Sequence, residues 1–313
     1  METSARKVLV LTDGKAGHEN QSRAFARALG CGCDVVRVRF RSRLAKAASY
    51  LLDRLGAACL GLVDFSDGPK PSGAADASKW SAVIGTGSGT FYAAKALARR
   101  LGVKCGVVLY PRGYRLSGFD CVLAPSFDRP CRLPNVVEIP ANLVAADEAF
   151  YEKGVEAFRA RTDVKPEIAV IVGGPNKCSE MSAEWMRERL DEVFSMPGAK
   201  VVTTSRRTPP GVEAVVDSYP WDWKLIYSRD SFNPIPAFVK LARRIYVTAE
   251  STGMLSECCT FGTAEVFALD NLKPGPSKFR RFLDGLREGG YVGGSRKVDL
   301  SAQFAAARRL LGI

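Results

Sequence analysis

Histidine is nearly absent from this chain: His18 is the only one in 313 residues. Proton transfer near neutral pH therefore rests on a single imidazole. Asp-x-Asp pairs are missing, which argues against sugar transfer through a metal held by such a pair. There is no Walker lysine motif and no nucleophile elbow, so neither P-loop nor elbow-serine chemistry is expected. No stretch approaches the ~18 apolar residues that span a bilayer. Nine cysteines are present, but they make no disulfide framework. Cys105, Cys121, Cys258 and Cys259 lie in apolar segments, where Cys behaves as a small hydrophobe. Cys31 and Cys33 flank a glycine without a second pair at zinc spacing. A reducing compartment and no metal are expected.

What the chain does have is positive charge. A formal net charge of +12 attracts anions such as nucleotide phosphates, nucleic acid or acidic lipid. The arginines are spread along the chain, without a basic block or an RNA-binding aromatic signature, so dedicated nucleic-acid binding is not expected. Met1–Lys7 is polar and leads straight into the first strand, so neither a signal nor a transit peptide is read there. The expected setting is cytoplasmic, with a peripheral position at the inner face of the membrane as a variant. Oligomeric state is left open.

Strand and helix signals alternate throughout. The expected fold class is α/β, with two Rossmann-like domains whose parallel sheets face a cleft. Strands are predicted at Lys7–Thr12, Asp34–Arg39, Ser81–Thr86, Val103–Leu109, Asp120–Ala124 and Val136–Ile139. A second series begins at Ile168 and continues at Lys200–Thr204, Lys224–Tyr227, Ile245–Thr248 and Ala264–Leu269. The expected domains are 1–143 on the acceptor side and 166–288 for the nucleotide. A linker helix spans 144–165. Residues 289–313 form a tail whose helix packs back on the first domain. Arg41–Val63 reads as a helix, apolar at Leu51, Leu52, Leu55, Leu60 and Leu62 and flanked by arginines. Two readings stay open for it: a core-facing helix, which is preferred, and a helix lying on an anionic membrane. The stretch from Ser66 to Gly73 reads as a mobile loop.

Chemistry concentrates at strand ends. Gly14-Lys15-Ala16-Gly17-His18 follows the apolar Val8–Leu11 and precedes a helix expected from about Asn20 to Leu29. Such a turn sits where α/β sheets open onto their ligand crevice. His18 and Asp13 are the catalytic candidates. Gly14, Lys15, Gly17, Glu19 and Asn20 are expected on the acceptor side, with Gly87, Ser88 and Gly89 of a second glycine turn. That second turn is only a weak dinucleotide fingerprint. A His at a helix start could also simply cap or pack.

In the second half, Thr248 ends a strand and a helix begins near Gly253. The helix start offers unpaired amides and partial positive charge to a phosphate. Glu250, Ser251, Thr252 and Gly253 are the nucleotide-binding candidates there, with Ser251 or Thr252 also able to cap. Glu257, one turn into the helix, is an acceptor-only group suited to two ribose hydroxyls. Ser205, Arg206 and Arg207 end another strand, and the arginines suit a diphosphate; a solvated arginine pair is the plainer alternative. Gly173 and Gly174 allow close approach of a ligand or backbone.

These motifs together resemble one family. Asp13 through Gln21, Thr204 through Pro209, Ser228 through Pro234 and Val247 through Glu257 resemble, in order, the "elongated mitochondria" mitochondrial-fission family of plants and its bacterial members. The chain looks like a bacterial member. The resemblance implies a GT-B fold related to the peptidoglycan N-acetylglucosaminyl transferase and the UDP-N-acetylglucosamine 2-epimerases. It implies phosphate binding at Ser251, Thr252 and Gly253 and ribose binding at Glu257. The chain departs from the family pattern at Glu250, where Asp is usual, at Phe127-Asp128, where His-Asp is common, and at Thr263-Ala264-Glu265, where Lys-Pro-Val is usual.

The expected activity is metal-independent transfer of a sugar from a nucleotide-diphosphate sugar to a hydroxyl acceptor, with a membrane-associated saccharide or lipid as one acceptor class. The nucleotide sugar is substrate, and no cofactor is expected. The expected partners are that donor and, as a variant, an anionic membrane surface. The alternative is a non-catalytic membrane-surface adaptor on the same scaffold, the role the resemblance implies for plant members. An epimerase is the third reading.

Overall fold

A computed structural model describes residues 6–69 and 78–313. Residues 1–5, and the part of the expected loop from 70 onward, lie outside the described residues. The chain divides into two compact units, Met1–Ala145 with Leu300–Ile313, and Ala146–Asp299. Both belong to the α/β class, and no described helix is long and apolar enough to cross a membrane.

The first unit runs β1 (Lys7–Thr12), α1 (Ala16–Ala28), β2 (Gly32–Phe40), α2 (Arg43–Arg54), β3 (Val63–Ser66), β4 (Ala82–Thr86), α3 (Phe91–Leu101), β5 (Lys104–Val108), β6 (Cys121–Pro125) and β7 (Val136–Ile139). Among the described residues its sheet has seven strands in the order β3-β2-β1-β4-β5-β6-β7. Strands buried on both faces need unbroken apolar runs, and Val8 to Leu11, Ala82 to Ile84 and Cys121 to Ala124 supply them. The sheet is parallel except where β3 pairs antiparallel with β2. Strand β3 lies between the stretch read as helix, Arg41–Val63, and the loop expected from Ser66, and no strand was expected there. Helix α1 starts at Ala16, earlier than expected, and its N-cap Lys15 makes no side-chain cap bond. That places His18 in the first helical turn. The helix ends before Gly30, whose φ of +76° suits a residue without a side chain.

Helix α2 is the main correction to the sequence reading. Leu52 packs against the core with Leu60 and Leu62, but Leu51 and Leu55 do not. They are 61% and 72% exposed, and Leu44 is 81% exposed. The buried side of α2 is polar instead: Ser49 bonds Tyr114, and Asp53 accepts from Lys95 Nζ at 2.5 Å and from the Arg115 amide at 2.6 Å.

The second unit runs α4 (Glu148–Arg159), β8 (Ile168–Ile171), α5 (Ala183–Phe194), β9 (Lys200–Thr203), α6 (Pro210–Ser218), β10 (Trp223–Leu225), α7 (Ile235–Leu241), β11 (Arg244–Thr248), α8 (Thr252–Thr260), β12 (Glu265–Leu269) and α9 (Lys278–Glu288). Its five strands are all parallel, in the order β10-β9-β8-β11-β12. Helix α4, expected as a linker, packs inside this unit. Phe158 meets Trp223 and Phe238 edge-on, with centroids 4.9 and 5.8 Å away. Residues 289–299 also stay with this unit. The closing helix α10 (Ser301–Leu311) lies on the first unit, where Leu311 reaches the sheet beside Gly106.

Candidate functional site

Open α/β sheets bind ligands outside the carboxyl ends of strands, where the strand order reverses. In the first sheet β1 lies between β2 and β4, so the reversal falls between β1 and β4. In the second it falls between β8 and β11. Each crevice holds one cluster of the residues singled out from the sequence.

At the first crevice, β1 delivers Asp13 and the first turn of α1 delivers His18. His18 Nδ1 lies 3.1 Å from both Asp13 carboxylate oxygens. A carboxylate only accepts, so Nδ1 donates, and in the neutral imidazole that leaves the lone pair on Nε2. The ring is partly open to solvent, with 23% of the side chain exposed against 11% for Asp13. The β4–α3 turn explains the glycines that resembled a fingerprint. A Cβ on Gly87 would lie 2.3 Å from His18 Cε1, and one on Gly89 would lie 2.7 Å from Asp13 Cβ. Both glycines leave room for the dyad. Thr90 fixes the turn by donating its hydroxyl to the Gly87 carbonyl.

The remaining first-unit candidates divide. Gly14 has a φ of +82° and abuts the Arg37 guanidinium. Lys15 Nζ pairs with Asp13 at 3.3 Å. Ser88 Oγ accepts from Lys46 of α2. Glu19 is drawn into an ion pair with Arg23 along the helix, at 2.8 Å, and so is not poised beside the imidazole as a second acid. Gly17 and Asn20 are exposed on the helix.

At the second crevice, Thr248 organises two loops at once. Its hydroxyl accepts from the Gly173 amide at 2.8 Å and donates to Glu250 Oε1 at 3.0 Å. A Cβ on Gly173 would lie 2.1 Å from Glu250 Oε1 and 3.0 Å from Thr248 Oγ1, so a side chain there would displace that buried carboxyl. Gly174 is pressed against the Arg207 carbonyl in the same way. Thr208 closes the β9–α6 loop by donating to the Gly173 carbonyl at 2.6 Å and accepting from the Ser205 amide at 2.8 Å. The Ser205 hydroxyl accepts from the Arg207 amide and bonds Thr208, so it serves its own turn. Arg206 and Arg207 point outward, exposed, and neither guanidinium has a partner among the described residues.

Helix α8 opens beyond Ser251, whose side chain makes no cap bond, contrary to one expectation. The Thr252 amide bonds the Glu250 carbonyl, and among the described residues no side chain caps this helix start. Gly253 faces open space, with nothing within 4 Å of a would-be Cβ. Glu257 accepts from the Tyr151 hydroxyl of α4 at 3.1 Å. Burial pushes the Glu257 carboxyl above the usual range, and the Tyr151 bond opposes that.

Glu250 is 3% exposed, and its Oε2 is buried without a partner among the described residues. Burial raises its pKa, against hydrogen bonding that favours the charge. Buried Asn271, beyond β12, faces this carboxyl, and its amide is the leading hydrogen-bonding influence that favours the charged form. A raised folded-state value means stability is full below the ordinary carboxylate pKa and falls as pH rises through the raised one. Glu250→Gln keeps the shape but cannot ionise. It is expected to remove that fall, so thermal melts of wild type and variant between about pH 4 and about pH 8 should diverge as pH rises, with the variant more stable.

A cavity of about 560 Å³ lies at the opposite, amino-terminal ends of β8, β11 and β12, lined by Glu167, Arg243, Arg244 and Glu265. There Arg244 and Glu265 pair with each other, and no glycine turn enters.

Compared with curated proteins, the sequence matches none. The sequence profile described as mitochondrial fission ELM1 matches residues 16–305. The chain belongs to this mitochondrial fission ELM1 family. Among solved structures, this ELM1-family protein is similar to the UDP-GlcNAc 2-epimerase of Methanocaldococcus jannaschii, with TM-score 0.55 and 12% identity, covering 97% of this chain and 98% of the other. It is similar also to a Listeria monocytogenes protein provisionally named a UDP-N-acetylglucosamine 2-epimerase, with TM-score 0.55 and 11% identity, covering 99% and 89%. At such identities the likeness shows fold, and the fold of this family member is of the two-Rossmann, glycosyltransferase-like GT-B type.

Sequence reading did not single out Thr248, Thr208, Asn271 or Tyr151 for a role. A threonine at a strand end or before a proline was the available signal for the first two. Tyr151 and Glu257 are 106 residues apart, and no local pattern joins them.

Proposed function

We propose that the protein transfers a sugar from a nucleotide-diphosphate donor to a hydroxyl acceptor. The observation that carries this reading is the β11–α8 turn at the switch point of the second sheet. Uncapped amides there lie in the same unit as the two outward arginines of the β9–α6 loop. Amides and guanidinium groups would neutralise the diphosphate as it leaves. Glu257, steadied by Tyr151, would accept from the ribose hydroxyls. His18, held through Nδ1 by Asp13, would take the acceptor proton on Nε2. In that step the acceptor oxygen bonds the anomeric carbon while the bond from that carbon to the diphosphate oxygen breaks.

Nucleoside diphosphates give the test. At 100 times its dissociation constant, UDP, ADP or GDP is expected to stabilise the protein by ~2.7 kcal/mol. Arg206→Ala combined with Arg207→Ala should weaken that ligand by roughly tenfold or more, since charge-assisted bonds contribute ~1.5–3 kcal/mol each, and should leave an uncharged nucleoside unaffected. No stabilisation by any of the three would favour the second reading, a non-catalytic adaptor. The exposed leucines of α2 are the observation that favours that alternative.

A further inference from the structure

The apolar stripe of α2 needs an occupant. Leu44, Leu51 and Leu55 fall on one helical stripe and are 81%, 61% and 72% exposed. Exposed leucines gathered on one helix face mark an interaction surface. The helix is held the other way up by its polar underside. Asp53 is buried against Lys95 and the Arg115 amide. Ser49 bonds Tyr114, and Tyr50 stacks on Tyr114 with centroids 4.4 Å apart. Lys46 donates to Ser88. These contacts fix the leucines outward, so turning the stripe into the core would break a buried ion pair.

The charge around the stripe has one sign. Arg43 and Arg54 are exposed, at either end of the helix. Asp53, the only carboxylate on α2, is hidden beneath it, and the nearby Asp64 is paired by Arg41 at 2.9 Å. A second copy of the chain fits poorly. Pairing two such helices antiparallel would set Arg43 against Arg54. A twelve-residue helix is only ~18 Å long, too short a strip for the ~800 Å² per partner that stable interfaces bury. A surface that is apolar at shallow depth and anionic above it fits both features.

We infer that α2 seats the first unit on an anionic lipid surface, with Leu44, Leu51 and Leu55 in the acyl boundary and Arg43 and Arg54 among the headgroup phosphates. Helices of this pattern lie in the interface plane, immersed by ~5–10 Å. The inference does not depend on the transferase reading. The Lys46–Ser88 bond ties the seated helix to the glycine turn beside His18.

Co-sedimentation with vesicles tests it. The full chain is expected to bind phosphatidylcholine vesicles carrying a quarter phosphatidylglycerol, more weakly as salt rises, and to ignore pure phosphatidylcholine. Leu44→Ser, Leu51→Ser and Leu55→Ser together should lower vesicle affinity at least ~tenfold, since each loses the burial of an aliphatic side chain. Arg43→Glu and Arg54→Glu should each lower it by roughly fivefold or more. Because all five side chains are exposed, melting temperature and nucleoside diphosphate stabilisation in vesicle-free solution should not change, which separates this failure from a failure of the donor site. No binding at low salt, or equal binding by the triple serine variant, would overturn the inference. A dimer that the triple variant dissociates, without vesicle binding, would assign the stripe to a second copy instead.

Discussion

His18→Ala is expected to lower sugar-nucleotide turnover by ~10²–10⁴-fold while leaving nucleoside diphosphate binding unchanged. Nδ1 is committed to Asp13 at 3.1 Å, so the other ring nitrogen is the one available to a hydroxyl. Asp13→Asn should cost a comparable factor, although it preserves size. Its amide can donate to Nδ1 and reverse the tautomer, which removes the lone pair from Nε2. Steady-state rates for both variants, beside a thermal-shift titration with the diphosphate, separate chemistry from binding. Equal rates for wild type and His18→Ala would remove His18 as the base.

Gly87→Ala should have the next largest effect, through a residue that contacts no substrate in the proposed mechanism. Its Cβ would lie 2.3 Å from His18 Cε1 and 2.5 Å from Nδ1, so the imidazole must swing away. Displacement of a catalytic group by ~1 Å can cost ~10²-fold in rate. A left-handed φ of +82° adds ~1–2 kcal/mol of backbone strain for any residue with a side chain. Gly17→Ala is the control: nothing lies within 4 Å of its Cβ and its φ is not left-handed, so rate and melting temperature should barely move. Turnover and melting of the two alanine variants, measured side by side, distinguish room made for His18 from general loop tolerance. A Gly87→Ala enzyme with normal rate would contradict the packing argument.

The sequence made the framework legible where burial demands a simple pattern. Parallel strands covered on both faces need unbroken apolar runs, and Val8–Leu11 and Ile168–Ile171 announced themselves in that way. The His18–Asp13 pair was legible for a related reason, since a glycine turn after the first strand places both at one crevice. Reading failed where a residue's surroundings come from far along the chain. The leucines of α2 fit a core-facing period as well as a solvent-facing one. Only the partners of Ser49 and Asp53, on α3 and around Tyr114, decide which face is buried. Strand β3 is four residues long at a sheet edge and carries too little alternation to stand out. Glu250 reads as a polar turn residue, yet Gly173 and Thr248 close over it. Its burial is a product of two loops meeting.

Central to the proposed transfer is an anion seat at the carboxyl ends of β8 and β11. A crystal structure of the full chain with a bound nucleoside diphosphate tests that most directly. The expected result places diphosphate oxygens within hydrogen-bond distance of the first-turn amides of α8, with a guanidinium of Arg206 or Arg207 alongside and a ribose hydroxyl on Glu257. A nucleotide held instead at the amino-terminal ends of the same strands, among Arg243, Arg244 and Glu265, would contradict it.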